Sequence, residues 1–230
     1  MDGNFAMAPG VFSQLNIICV PLGNNYVTLV SVLLPNKYRE TYQELLQALV
    51  NKRQQPSLPV QLDTIMTDFE DAVLRSVQTV WEQNASRQGC FYQLIQSTCQ
   101  KIQDLDLTNP YNTDEEFQNF VGMLDGLAFL PLPQVQAGMQ VLRNIAPNEA
   151  QDLLDYFDST YVFGLYRQRD AGGLVMNLRH APTMFPPELW NQHDATVNGN
   201  LHTNNICEGC NNKFRNLVGR YHSTVWTCVQ

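Results

Sequence analysis

The chain has 230 residues, of which 44% are hydrophobic and 16% charged, and its net charge is −8. That is enough apolar content for a core and too orderly a composition for long disorder. The charge excludes a surface that is basic all round. The length fits one large domain or two small ones.

The acidity is local. Residues 102–166 carry ten Asp or Glu against one Lys or Arg, residues 1–101 carry eight acids and seven bases, and residues 167–230 carry four acids and six bases. Any anion-binding surface is expected on the two end segments. No apolar run of about 18 residues exists, so no membrane-spanning helix is expected. Residues 1–10, MDGNFAMAPG, lack the basic and apolar regions of a signal peptide. Cys19, Cys90, Cys99, Cys207, Cys210 and Cys228 are scattered, which points to reduced intracellular thiols and not a disulfide scaffold.

In chain order, residues 1–34 read as three strands. The first is Asn4–Ala8, stopped by Pro9-Gly10. The second is Gln14–Val20 and the third Tyr26–Leu34, joined through the turn residues Gly23-Asn24-Asn25. Lys37–Asn51 has a helical stripe of Tyr38, Tyr42, Leu45, Leu46 and Leu49. Residues 60–67 then read as a strand, expected parallel to the first. A helix follows, with Phe69, Ala72, Val73, Val77 and Val80 on one face and Thr67 placed to cap it. Gly89–Tyr92 is a short fifth strand, and Leu94–Ile102 is helical. Three strands, a helix, a strand and a helix predict a mixed α/β sheet.

From Asp114 the periodicity is helical only. Phe117, Phe120, Val121, Leu124, Leu127 and Ala128 form one stripe, Val135, Met139 and Leu142 a second, and Leu153, Leu154, Phe157, Tyr161 and Phe163 a third. The expected organisation is a core over residues 1–105, a helical insertion over 106–163, a long loop over 164–203 and a last core helix over 204–230. That helix has Asn204 as its N-cap and Ile206, Cys210, Phe214, Leu217 and Tyr221 as its stripe.

Asp68 sits where a strand meets a helix N-terminus, on the rim where open α/β sheets place ligands. The plain alternative is that it only complements the helix dipole. Glu208 stands on the polar side of the last helix, which by itself reads as solvated surface.

Seven short motifs occur in a fixed order. They are Asp2-Gly3-Asn4-Phe5 with Pro9 and Phe12; Lys37-Tyr38 with Thr41-Tyr42; and Thr67-Asp68-Phe69-Glu70. Next come Gly89-Cys90 through Gln96, and Leu127-Ala128-Phe129-Leu130-Pro131. Phe185-Pro186-Pro187 with Trp190-Asn191 follows, then Thr203-Asn204-Asn205 with Glu208-Gly209, Phe214, His222 and Trp226. Together they resemble the transposase domain of Mutator-like elements, the MULE transposase domain, along nearly the whole chain.

The resemblance implies a ribonuclease H-like mixed sheet with flanking helices and an all-helical insertion before the last helix. It implies an Asp–Asp–Glu triad on Asp2, Asp68 and Glu208, holding two Mg²⁺ or Mn²⁺ ions for DNA strand cleavage and transfer. Two ions roughly 4 Å apart require the three carboxylates to converge within about 8 Å. DNA is the implied partner, with self-association of the chain a second, and the nucleus the implied location.

The chain also departs from the family pattern. Gln93 stands where the family has the His of C-x-x-H, and His202 where it has the Arg of R-T-N-N. Glu208-Gly209 is followed by Cys210-Asn211 instead of Trp-His, and Ser223 replaces the Pro after His222. Met1 directly precedes Asp2, where the family has further strand residues and an upstream zinc finger. The expectation is a trimmed catalytic core that is weakly active or inactive. Its alternative is a catalytically dead, transposase-derived domain that binds nucleic acid or protein.

Other chemistry is weaker. Cys207-x-x-Cys210 stands alone, whereas a zinc site wants four ligands. A pair of packed thiols is the default there, and no surrounding βαβ unit supports a redox motif. Cys90 with His222 would need an oxyanion hole to act as a hydrolase pair. Trp81, Trp190 and Trp226 read first as core anchors, and Trp190, in the expected loop, is the one to watch for stacking on a base.

Overall fold

The β-branched runs of the N-terminal third become the strands that carry the candidate site. The computed structural model describes residues 1–22, 25–53, 64–81, 86–169 and 177–199, with the single positions Thr203, Cys207, Gly209, Asn212 and Asn216. They divide into two compact units, Met1–Cys90 with Thr203–Gln230, and Phe91–His202. Both contain helices, and small sheets complete a mixed α/β protein.

In the first unit β1 (Asp2–Asn4), β2 (Gln14–Leu22) and β3 (Asn25–Leu34) pair antiparallel in that order. Asp2 lies across from Ile17 and Gly3 across from Asn16. β4 (Thr64–Thr67) and β5 (Ser86–Gly89) pair in parallel. The Met1 backbone nitrogen donates to the Met66 carbonyl at 2.9 Å, which brings the start of β1 to β4. Tyr42 and Leu46 of α1 (Arg39–Arg53) pack with Val73, Val77 and Trp81 of α2 (Asp71–Trp81), joined by Met1 and Leu34. Each large apolar side chain buried this way contributes roughly 1.5–3 kcal/mol.

Several boundaries differ from the sequence reading. The first strand is Asp2–Asn4, not Asn4–Ala8. The Asn4 carboxamide accepts from the Met7 amide at 3.1 Å and turns the chain, sending Met7 in among Leu15 and Ile17. α1 starts two residues later than expected because Asn36 Oδ1 accepts from both the Tyr38 amide and the Thr41 hydroxyl, making a turn first. Thr67 does not cap α2. It ends β4, its hydroxyl donates to the Asp68 carbonyl, and the helix begins only at Asp71. Phe69 therefore lies outside the helix, with its ring against Gly89, where a Cβ would come within 2.6 Å of it. The fifth strand is Ser86–Gly89, not Gly89–Tyr92; its polar sequence, SRQG, hides it from a search for apolar runs. Residues 54–63, where the strand before Asp68 was expected to begin, lie outside the described residues.

The second unit is built on α3 (Phe91–Asp104), α4 (Thr108–Thr113), α5 (Glu115–Gly126), α6 (Val135–Ile145) and α7 (Gln151–Phe157), which continues as a π-helical turn over Asp158–Val162. Asp114 caps α5, accepting from the amides of Glu116 and Phe117. Phe117, Phe120, Val121 and Leu124, then Val135, Met139 and Leu142, then Leu153, Leu154 and Phe157 are all buried, so the stripes read from the sequence form a core. Residues 113–161 contain no strand. α3 packs on α4, α5 and α7 through a face that buries Leu94, Thr98 and Ile102. The second unit begins at Phe91.

Within the span 164–203, expected as a long loop, the described residues include an antiparallel hairpin, β6 (Leu165–Arg169) and β7 (Asn177–Ala181), then α8 (Pro187–Trp190) and α9 (His193–Val197). Leu165 and Tyr166 are 50% and 70% exposed although consecutive strand residues face opposite ways, so these two described side chains print no alternating pattern. Trp190 is a core anchor, the first reading of the tryptophans. It is fully buried, donates through Nε1 to the carbonyls of Tyr161 and Phe185 at 3.0 and 3.1 Å, and packs edge-on to Phe157.

Candidate active site

Asp68 follows the last residue of β4 and precedes α2 by three residues, so it stands at the strand end, on the sheet rim. Asp2 opens β1, whose neighbour at that end is β4. Met1, Asp2, Gly3, Asn16, Thr67, Asp68, Glu70 and Val73 line one small cleft, with room for about one water. Two of the three acids expected from the sequence thus reach the same cleft. Glu208 lies outside the described residues, as do Asn204 and Cys210. Around it Cys207 is helical and buried, while Gly209, Asn212 and Asn216 are helical and exposed.

The structure adds residues that the sequence reading had left inside motifs without a role. Glu70, half-buried in the cleft wall, accepts from the Tyr42 hydroxyl at 3.0 Å. The same hydroxyl accepts from Gln14 Nε2. Burial, followed by the charges of Glu70 and Asp68, holds the Tyr42 hydroxyl well above the usual tyrosine range, so it stays protonated as a donor. Gly3 makes room for this arrangement, because a Cβ there would stand 2.2 Å from Gln14 Oε1. The sequence signal was available: Tyr42 and Glu70 belong to the quoted motifs, and Gln14 and Asn16 are polar positions in an otherwise apolar strand.

Carboxylate and carboxamide oxygens are hard donors of the kind Mg²⁺ and Mn²⁺ take. Asn16 is 2% exposed, and its Oδ1 has no hydrogen-bond partner among the described residues. An orphaned buried oxygen in the wall of a cleft that Asp2 and Asp68 also line fits a cation or its water. Among the described residues, no three His, Cys, Asp or Glu side chains are grouped to hold a metal ion.

These features define a mixed α/β protein with an acid-lined cleft at a strand–helix junction. The stretch that builds the cleft is also the stretch with a recognisable family: residues 1–97 match the MULE transposase domain. No curated protein and no solved structure gives a match. Among the described residues no helix is long and apolar enough to cross a membrane.

Proposed function

We propose that this chain is a MULE-type transposase core with a ribonuclease H-like fold, in which Asp2, Asp68 and Glu208 hold two Mg²⁺ or Mn²⁺ ions for slow cleavage and transfer of DNA strands. The observation that carries this reading is the placing of Asp2 and Asp68 in one cleft, within the segment that matches the family. The strand order β3–β2–β1, with β4 beside the start of β1 and parallel to β5, supports the fold.

In the reaction a water oxygen attacks phosphorus in line, the P–O3′ bond breaks and the 3′ oxygen leaves as a hydroxyl. In transfer that hydroxyl attacks a target phosphorus and displaces the 3′ oxygen there. Bound ions would supply charge stabilisation to the attacking and leaving oxygens. The chain's own part is to hold hard oxygen donors at fixed spacing on the ends of two strands and one helix. A nuclear location follows from the substrate, and fractionation of cells expressing the chain tests it.

The test is nicking of supercoiled plasmid with Mg²⁺ or Mn²⁺ by the wild type beside Asp68→Asn. Slow nicking that disappears in the variant is expected. Equal background from both would favour the second reading, a transposase-derived domain that binds nucleic acid without cutting it.

A further inference from the structure

Asp68 sits on a junction of three residues between β4 and α2, bounded by the Cys90 amide donating to the Thr67 carbonyl and the Leu74 amide donating to the Glu70 carbonyl. Side chains add to these bonds. The Thr67 hydroxyl donates to the Asp68 carbonyl at 2.9 Å. Glu70, two residues beyond Asp68, accepts from Tyr42, a side chain of α1 that is fully buried in the first unit's core. Tyr42 is in turn held by Gln14 of β2, itself fully buried. The chain Gln14–Tyr42–Glu70 thus ties the junction to the two elements beside it, the sheet and α1. Its atoms are buried or half-buried, so water competes weakly for them.

We propose that Tyr42 is a positioning residue, which through Glu70 fixes the β4–α2 junction and thereby sets the affinity of the Asp68 site for a divalent cation. The inference rests on the reading of Asp68 as a cation ligand. Tyr42 touches neither the cation nor the DNA in this scheme. Its hydroxyl orients Glu70, and Glu70 orients the turn that carries Asp68. Partners in a ligand's outer shell typically alter metal affinity about 10–100-fold when removed.

The test measures Mn²⁺ binding to the whole chain by titration calorimetry and by the free-ion signal in electron paramagnetic resonance. Tyr42→Phe is the informative variant, because it keeps the ring in the core and changes no charge, whereas Glu70→Gln would weaken cation binding by charge alone. On the order of a tenfold loss of Mn²⁺ affinity is expected for Tyr42→Phe. A smaller loss in the same direction is expected for Gln14→Met, which removes the donor to Tyr42 and is read in its place if Tyr42→Phe does not fold. Leu46→Ala serves as the control. It destabilises the same core from the same helix while leaving the Tyr42 hydroxyl in place, so a role in stability alone would lower affinity there too, whereas a positioning role leaves that variant's affinity intact. Unchanged affinity in Tyr42→Phe, or an equal loss in Leu46→Ala, overturns the inference. Asp68→Asn separates this failure from that of the underlying reading. If Asp68→Asn binds Mn²⁺ as the wild type does, the cation site itself is wrong. If it loses binding while Tyr42→Phe keeps it, only the positioning role is wrong.

Discussion

Gly3 and Asp125 show how single residues carry the design. Gly3 faces Asn16 across β1–β2, and any side chain there would overlap Gln14 Oε1. Gln14 has little freedom to retreat, because its amide is bonded to Tyr42 inside the core. Gly3→Ala is therefore expected to destabilise the chain by about 1–3 kcal/mol, read as a lower urea midpoint; an unshifted midpoint would mean that Gln14 swings aside at no cost. In the second unit, burial pushes the Asp125 carboxyl up to about 6, opposed by the Thr98 hydroxyl that donates to it at 3.0 Å. A carboxyl with a raised folded pKa binds its proton more tightly in the folded state. Its contribution to stability is therefore complete below about pH 4 and is lost as pH rises through about 6. The difference in unfolding free energy between wild type and Asp125→Asn is expected to move against the wild type by on the order of 2–3 kcal/mol between pH 4 and pH 7. Paired urea titrations at the two pH values check it, and a difference that does not change with pH would contradict the buried-carboxyl account.

At the scale of elements, α1 and α2 share one packed core. Leu46 is 1% exposed and packs among Tyr42, Val73 and Val77. Truncating it leaves a cavity in that core. Leu46→Ala is expected to cost about 2–5 kcal/mol, whereas Val141→Ala in α6, at a side chain 58% exposed, should stay within about 0.5 kcal/mol. Thermal unfolding of the two variants measures the contrast. Equal effects would mean that the stripe of α1 is not the packed face. The hairpin β6–β7 teaches the opposite lesson about elements. Register and cross-strand bonding maintain it with little burial at its described positions, which is why apolar periodicity does not announce it.

For the whole molecule, charge is the governing quantity. Residues 102–166 carry nine net negative charges, and the full chain eight. Lys and Arg contacts to phosphate dominate DNA affinity, and an acidic body opposes them. Fluorescence anisotropy with a duplex at about 150 mM salt is expected to give a dissociation constant in the non-specific range of about 10⁻⁴–10⁻⁶ M, weakening steeply as salt rises. A nanomolar complex indifferent to salt would contradict this and point to base-specific contacts instead.

What the sequence determined by itself follows from periodicity and local chemistry. The apolar run of β2, the stripes of α1 and α2 at Tyr42, Leu46, Val73 and Val77, and the three helical stripes over residues 117–157 each advertise a buried face and are buried, whereas Tyr38 of the α1 stripe and Val27 and Leu29 of β3 are exposed. The order of motifs was enough to name the domain that residues 1–97 match and to single out Asp2 and Asp68, which line one cleft. Only the tertiary structure decided what depends on neighbours distant along the chain. Glu70 gains its place from Tyr42, 28 residues earlier, and Tyr42 from Gln14, another 28 earlier. Gly3 and Gly89 are required by the side chains of Gln14 and Phe69, which no local pattern places beside them. Trp190 became a core anchor because Phe185 and Tyr161 offer carbonyls to its indole nitrogen. A polar side chain carries no periodic signature of burial. Its role is set by the partner that satisfies it, and folding alone brings that partner into reach.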